Sequence, residues 1–384
     1  MTIGILKEPL FESRVSLLAG EVAALTKNGI QVWVEADAGL KAFCMDDEYI
    51  ASGAAIKTRT DIFEGADILL CIHYNEIPFY LKNKVLIGVY QPLINIDQVE
   101  DWNNQLLTVF SLDMLPRTTK AQSMDVLSSQ SSIAGYKAAI LAASVYPRYF
   151  PMMMTAAGSC SPAKVLVLGA GVAGLQAVAT SRRLGAVVEV FDTRNEAKQD
   201  VLSLGAKFVE VEGTADASKA GGYAVDQSEE FKERQKMRIA ESIKKADVVI
   251  TTAQIFGKKA PILVTADMIS TMRPGSVIID LAAATGGNTE VTADNVTITH
   301  GNVTIIGAGN LASAAPSDAS KLYGKNVLNF LKTLIDKEGS LTIDFADSIV
   351  NNTCITHDGK VISQMVNNKL STINPNHGNI TQLH

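Results

Sequence analysis

Three glycines in Lys164-Val-Leu-Val-Leu-Gly169-Ala170-Gly171-Val172-Ala-Gly174 have the residue type and spacing to hold a pyrophosphate. The G-x-G-x-x-G string follows an apolar run, Lys164–Leu168, and opens a helical pattern that reaches about Leu184 before a second apolar run, Val187–Phe191. In that setting of strand, turn and helix, Gly169 permits the tight turn. Gly171 lets the backbone approach phosphate oxygens, and Gly174 lets helix and strand close together. Ala170 and Val172 complete the turn, and the helix start offers unpaired N–H groups and the positive end of its dipole. Asp192 ends the next strand, with Thr193 and Arg194 directly after it. A carboxylate there accepts hydrogen bonds from the adenosine ribose of NAD(H) and repels a 2′-phosphate. A hydrogen bond to a charged group contributes about 1.5–3 kcal/mol, enough to bias the site towards NAD(H). Arg194 acts in the opposite sense, because an arginine at that place accommodates the NADP phosphate.

The elements that must position this turn are legible as alternating strands and helices. In the first third, Thr2–Leu6, Val32–Glu35, Ile68–Ile72, Val85–Tyr90 and Thr108–Leu112 read as strands, and Ala19–Lys27 reads as a helix ending at Asn28-Gly29. Ser129 to Val145 reads as one long helix, ended by Pro147. Beyond a loop at Pro147–Met154, the strands predicted are Lys164–Leu168, Val187–Phe191, Lys207–Glu210, Asp247–Thr251, Ser276–Asp280 and Val303–Ile306, the six that a complete dinucleotide-binding sheet needs. A helix at Ser320–Ile335, a short β-like tail and a frayed end from Thr372 complete the chain. Strands alternating with helices imply an α/β fold of parallel sheets covered on both faces.

A chain of 384 residues, 47% hydrophobic and 19% charged, is globular and long enough for two domains. A net charge of -6 gives no basic footprint for nucleic acid. Cys44, Cys71, Cys160 and Cys354 lie far apart, form no metal spacing and suit a reduced cytoplasmic interior. The histidines show no ligand spacing, so no metal is expected, and the Met152–Met154 run is read as interdomain packing. No stretch approaches the roughly 20 apolar residues of a membrane span.

A further set of residues carries a resemblance. Met114-Leu-Pro-Arg117-Thr-Thr-Lys-Ala-Gln122-Ser-Met-Asp125-Val-Leu-Ser128-Ser-Gln-Ser, Phe150-Pro-Met-Met-Met-Thr-Ala-Ala-Gly158, Ala220-Gly-Gly-Tyr223-Ala, Arg273-Pro-Gly-Ser-Val-Ile-Ile-Asp280 and Asn326-Val-Leu-Asn-Phe-Leu resemble the NAD(H)-binding soluble alpha subunit of proton-translocating NAD(P) transhydrogenases. The resemblance covers roughly residues 1–365, and its most specific part is Pro116 to Ser131. It implies two Rossmann-like doubly wound domains, residues 1–127 with 320–384 and residues 128–319, flanking an NAD(H) cleft. It further implies that Arg117, Gln122, Asp125 and Ser128 surround the nicotinamide, and that Tyr223 sits on a loop closing over the bound nucleotide. Arg117 and Asp125 have the charges to pair and fix the loop, and Asp125 or Ser128 the groups to bind the carboxamide. The partners implied are a second copy of the chain and a subunit that spans the membrane and holds NADP(H). The chain would then lie at the inner face of the cytoplasmic membrane, held there only through that partner.

The same fold resembles alanine dehydrogenase, an alternative that needs groups to hold a carboxylate and move protons. Its arginine is present as Arg14, but its lysine position falls at Cys71, its histidine position within Gly88-Val-Tyr90-Gln91, and its aspartate position at Ala284. His73 lies two residues out of register. Ala283-Ala284-Thr285 also departs from the more acidic stretch expected of a transhydrogenase before Gly286-Gly287-Asn288. A non-catalytic NAD-binding protein is a third reading, against which the elaborated Arg117–Ser128 loop argues.

Overall fold

The structure is a computed structural model that describes residues 1–74, 77–78, 80–211 and 229–373. The chain divides into two compact units, Met1–Gln130 with Ala315–His384, and Ser131–Ala314.

In the first unit, Ala55–Lys57, Gln31–Glu35, Thr2–Ile5, Ile68–Leu70, Val85–Gly88 and Thr108–Ser111 lie in that order as a parallel sheet. The chain starts in mid-sheet, winds out to one edge and then out to the other, so the sheet is doubly wound. Cys354–His357 then pairs antiparallel with Thr108–Ser111, and Lys360–Val361 pairs with it in turn. The sheet packs on both faces because neighbouring residues of one strand feed different cores. Ile68 and Leu70 join Val34, Phe110, Tyr323 and Phe330 on one side, while Leu69 joins Leu86, Trp102 and Val109 on the other. That two-sided burial is why these strands read as continuous apolar runs.

The second unit orders Lys207–Phe208, Val187–Phe191, Lys164–Leu168, Val248–Thr251, Val277–Asp280 and Val303–Gly307 as parallel strands. Val165 and Val167 face one core and Leu166 and Leu168 the other. A seventh strand, Thr297–His300, pairs antiparallel on the outer edge and was not among the six predicted. It is short, its residues alternate between exposed and half-buried with none fully buried, and Gly301-Asn302 turns it back into Val303–Gly307.

Other elements differ from expectation for definable reasons. The long helix runs Val126–Val145, starting three residues before the predicted Ser129, because the Asp125 side chain accepts the Ser128 N–H at 2.9 Å and so caps it. The later helix is Pro316–Leu331 rather than Ser320–Ile335, since Pro316 suits the first turn, where no N–H is needed. The predicted loop at Pro147–Met154 leads into a hairpin of Met153–Thr155 with Gly158–Cys160. Met152, Met153 and Met154 stand 62%, 38% and 78% exposed beside and within it. Ala55–Lys57, the helix Gln364–Ile373 and the shortening of Lys207–Glu210 to Lys207–Phe208 were also unforeseen. No helix of the described residues is long and apolar enough to cross a membrane.

Candidate nucleotide site and its flanking loop

The glycine turn sits where the strand Lys164–Leu168 meets the helix Val172–Arg183, at the middle of the second unit's sheet. Gly169 has φ +106°, a left-handed conformation that a side chain would strain, and its N–H donates to the Phe191 carbonyl at 2.8 Å. The Thr252 hydroxyl supports it from the neighbouring strand end, donating to the Gly169 carbonyl at 3.1 Å. A β-carbon on Gly174 would lie 1.8 Å from that same carbonyl oxygen, so helix and turn close only over hydrogen. Gly171 caps the helix in an extended conformation, and a β-carbon there would meet nothing within 4 Å. Open space at Gly171, next to the unpaired N–H groups of the first helical turn, is the cradle a pyrophosphate requires. Ala170 is buried, and Val172 is exposed at the start of the helix.

Asp192 lies beside this turn and is tied to it, its carboxylate accepting the Ala170 N–H at 2.7 Å. The same carboxylate accepts the Arg194 backbone N–H at 2.8 Å, its Nε at 3.0 Å and one terminal guanidinium nitrogen at 3.1 Å. Those bonds to Asp192 hold the Arg194 pKa above its usual value. Thr193 between them is half-buried. A depression of about 560 Å³ opens next to Asp192, lined by Phe191, Asn195, Lys198, Phe208 and Phe231. Tyr223 and its neighbouring glycines lie outside the described residues.

In the first unit, Arg117, Gln122 and Asp125 fall on the segment connecting the strand Thr108–Ser111 to the helix Val126–Val145, and Ser128 lies in that helix's first turn. Arg117 and Gln122 are exposed; Asp125 and Ser128 are half-buried. Thr119–Met124 forms a 3-10 turn with Thr118 as its cap, and Ala121 and Met124 anchor the segment in the core. The Asp125 carboxylate faces Ser128, taking its hydroxyl at 2.6 Å in addition to its N–H. Both groups therefore belong to the helix start as well as to any ligand.

Two residues that the sequence shows only as members of motifs, without a role of their own, prove important to these segments. Asn288, fully buried, accepts the Ala253 N–H at 3.0 Å and donates to the carbonyls of Ala253 and Pro261, both at 2.8 Å. Its own N–H reaches buried Asp280 at 2.7 Å, so it ties together the loops that follow Val248–Thr251 and Val277–Asp280. Asn326, on the helix Pro316–Leu331, holds the Arg117–Ser128 segment. Nothing in the spacing of either asparagine marks it; only the fold brings their partners together.

A separate polar cluster lies at the carboxyl ends of Thr2–Ile5 and Ile68–Leu70. Glu12 and Arg14 meet fork to fork, at 2.8 and 2.6 Å, both buried. Burial would raise the Glu12 pKa, but its bonds from Arg14 and His73 outweigh that and hold it far below the carboxylate range. Glu8 accepts the N–H groups of Ile72 and His73, and burial pushes its carboxyl up to about 8. Cys71 is a buried thiol raised to about 12 by burial and bonded to Tyr90, Ala284 is exposed, and His73 Nε2 is engaged by Glu12 at 2.8 Å. Among the described residues no group of three or more His, Cys, Asp or Glu is placed to hold a metal ion.

Residues 4–134 match the family described as alanine dehydrogenase/PNT, N-terminal domain, and residues 138–364 match the corresponding C-terminal domain. The chain is 44% identical to an NAD(P) transhydrogenase subunit alpha chain of Rickettsia prowazekii, over 98% of this chain and 100% of that one. It is 42% identical to the protein of the same name from Rhodospirillum rubrum, over 91% and 94%. A transhydrogenase structure from Sinorhizobium meliloti superposes with a TM-score of 0.86 at 42% identity, over 94% of this chain and 100% of that one. An L-alanine dehydrogenase structure shares the fold, with a TM-score of 0.77 at 22% identity over 97% and 100%.

Proposed function

Because this chain belongs to the alanine dehydrogenase/PNT family, among the NAD(P) transhydrogenase alpha subunits, we propose that it binds NAD(H) and exchanges a hydride with NADP(H) held by a partner subunit. The observation that carries the nucleotide half is the Asp192 carboxylate bonded to the Ala170 N–H of the glycine turn, beside the open flank of Gly171. Gly169, Ala170, Gly171, Val172 and Gly174 would hold the pyrophosphate, and Asp192, with Thr193 and Arg194, the adenosine ribose. Arg117, Gln122, Asp125 and Ser128 would orient the nicotinamide, with Tyr223 above the bound nucleotide. Bound NADH supplies the hydride; the chain's residues need only fix the ring and keep water away. No general acid or base is required for such a transfer.

The fuller reading is Re/Si-specific, proton-translocating transhydrogenation by two copies of this chain working with a membrane-spanning, NADP(H)-binding subunit. The chain would be peripheral at the cytoplasmic face of the membrane. The test is reconstitution with a purified NADP(H)-binding domain, following hydride transfer from NADH to an NADP⁺ analogue, with alanine plus NAD⁺ assayed alongside. Transfer that needs both proteins, without alanine oxidation, is the expected result. Alanine oxidation by this chain alone would replace the reading with an amino acid dehydrogenase.

A further inference from the structure

We infer that Asn326 is a positioning residue for the proposed nicotinamide segment, a brace across Asp125 and Ser128 whose lower grip is the peptide next to Gln122. The inference rests on the function proposed above.

One carboxamide touches both ends of the stretch. Asn326 Nδ2 donates to the Ser123 carbonyl at 2.9 Å, and Asn326 Oδ1 accepts the Ser129 hydroxyl at 2.7 Å. Ser123 directly follows Gln122 and Ser129 directly follows Ser128, so the two bonds bracket Asp125 and Ser128 and hold the peptide next to Gln122. Asn329, one turn further along the same helix, donates a second amide bond to the Ser123 carbonyl at 3.1 Å. Two amide donors on one carbonyl fix the direction of that peptide, because both lone pairs are then engaged.

The brace has little freedom of its own. Asn326 is 9% exposed in a 16-residue helix whose Tyr323, Val327, Phe330 and Leu331 are in the core. Lys120 adds an outer tie to Asp347 at 2.8 Å, but its side chain is 66% exposed and such a pair is weak. Asn326 is therefore the buried, two-handed contact. A segment that offers Arg117 and Gln122 to solvent needs this support, since reactive geometry tolerates little drift and a shift of about 1 Å can cost roughly a hundredfold in rate.

The experiment compares the full-length chain with Asn326→Ala, Asn326→Asp and Asn329→Ala. Aspartate keeps the acceptor for Ser129 but cannot donate to the Ser123 carbonyl. Two quantities are read, hydride transfer to the partner-bound NADP⁺ analogue with the NADH dissociation constant, and amide hydrogen exchange over residues 117–129. Asn326→Ala and Asn326→Asp are expected to slow transfer about 10–100-fold while NADH affinity, set mainly on the adenosine side, changes less than about threefold. Exchange should accelerate in that segment alone, and Asn329→Ala should show a smaller effect in the same direction. Wild-type transfer rates in the folded variants would overturn the inference, as would equal losses of rate and affinity. If the wild-type chain transfers no hydride, the proposed function fails. Exchange still decides the brace, and unchanged protection in Asn326→Asp would remove it.

Discussion

Arg194 closes on Asp192, two residues before it, with its backbone N–H and two guanidinium nitrogens on a carboxylate that also accepts the Ala170 N–H. The arginine that sequence alone leaves as a candidate phosphate binder is engaged by the acid whose selectivity it would oppose. Asp192→Ala removes the proposed ribose acceptor and releases Arg194 at once. NADH affinity should fall by about tenfold or more, the equivalent of one hydrogen bond to a charged group, while discrimination against NADPH relaxes. Fluorescence titration with both nucleotides measures this, and an unchanged NADH to NADPH ratio would refute the ribose role.

Gly171 and Gly174 should separate binding from stability. A β-carbon at Gly171 meets nothing in the protein, so Gly171→Ala is expected to leave the urea midpoint near wild type while weakening NADH. At Gly174 the β-carbon falls 1.8 Å from the Gly169 carbonyl, and Gly174→Ala must push helix from strand, at a cost of about 1–3 kcal/mol or more. Equal effects of the two substitutions on stability would contradict the assignment of the open flank to a ligand.

Arg117 is exposed on its segment, and its removal should leave the core intact. Arg117→Ala is expected to slow hydride transfer by at least about tenfold, as for a misplaced reacting ring, with most NADH affinity retained. Parallel losses of affinity and rate would move Arg117 away from the nicotinamide end.

Glu8 gives a pH prediction with a definite sign. Its carboxyl is raised in the folded chain to about 8, chiefly by burial, from 4.5. The folded state therefore holds a proton that the unfolded chain has released, and this contribution is fully present below about pH 4.5 and lost as pH rises through 8. Glu8→Gln should flatten the decline in stability between those limits, as read from urea melts at pH 5, 7 and 8.5. A variant that tracks wild type across the range would show Glu8 to be ionised throughout.

How much was legible in advance follows from what kind of signal each element carries. Lys164–Leu168 and Val187–Phe191 were placed to the residue because both faces are buried and the turn between them needs particular glycines. Thr297–His300 and Met153–Thr155 lack that signal, since each presents exposed side chains and pairs by backbone alone. The start of the long helix was readable in principle. Asp125 followed three residues later by Ser128 is a capping arrangement, whereas the repeat of small and apolar residues alone points to a start at Ser129. Asn288 and Asn326 stand in quoted motifs, but their holding roles were illegible, because their partners lie up to 203 residues away and are mostly main-chain atoms with no identity in the sequence.

That last property has a consequence for how the second unit can vary. Asn288 grips its neighbouring loop by the amide and carbonyl of Ala253 and the carbonyl of Pro261. The Gln254 side chain adds a bond to the Leu281 carbonyl at 3.3 Å, while the exposed side chains of Ile255 and Phe256, also between the two grips, take no part in the Asn288 anchoring. A loop held this way can change what it presents to the outside without changing where it is held. The anchor itself has no such latitude, because aspartate would lose both donated bonds and leucine all three. Exploratory substitution in this unit should therefore concentrate on 255 and 256 and leave 288 alone, since one position sets the frame and the other two carry the adjustable chemistry.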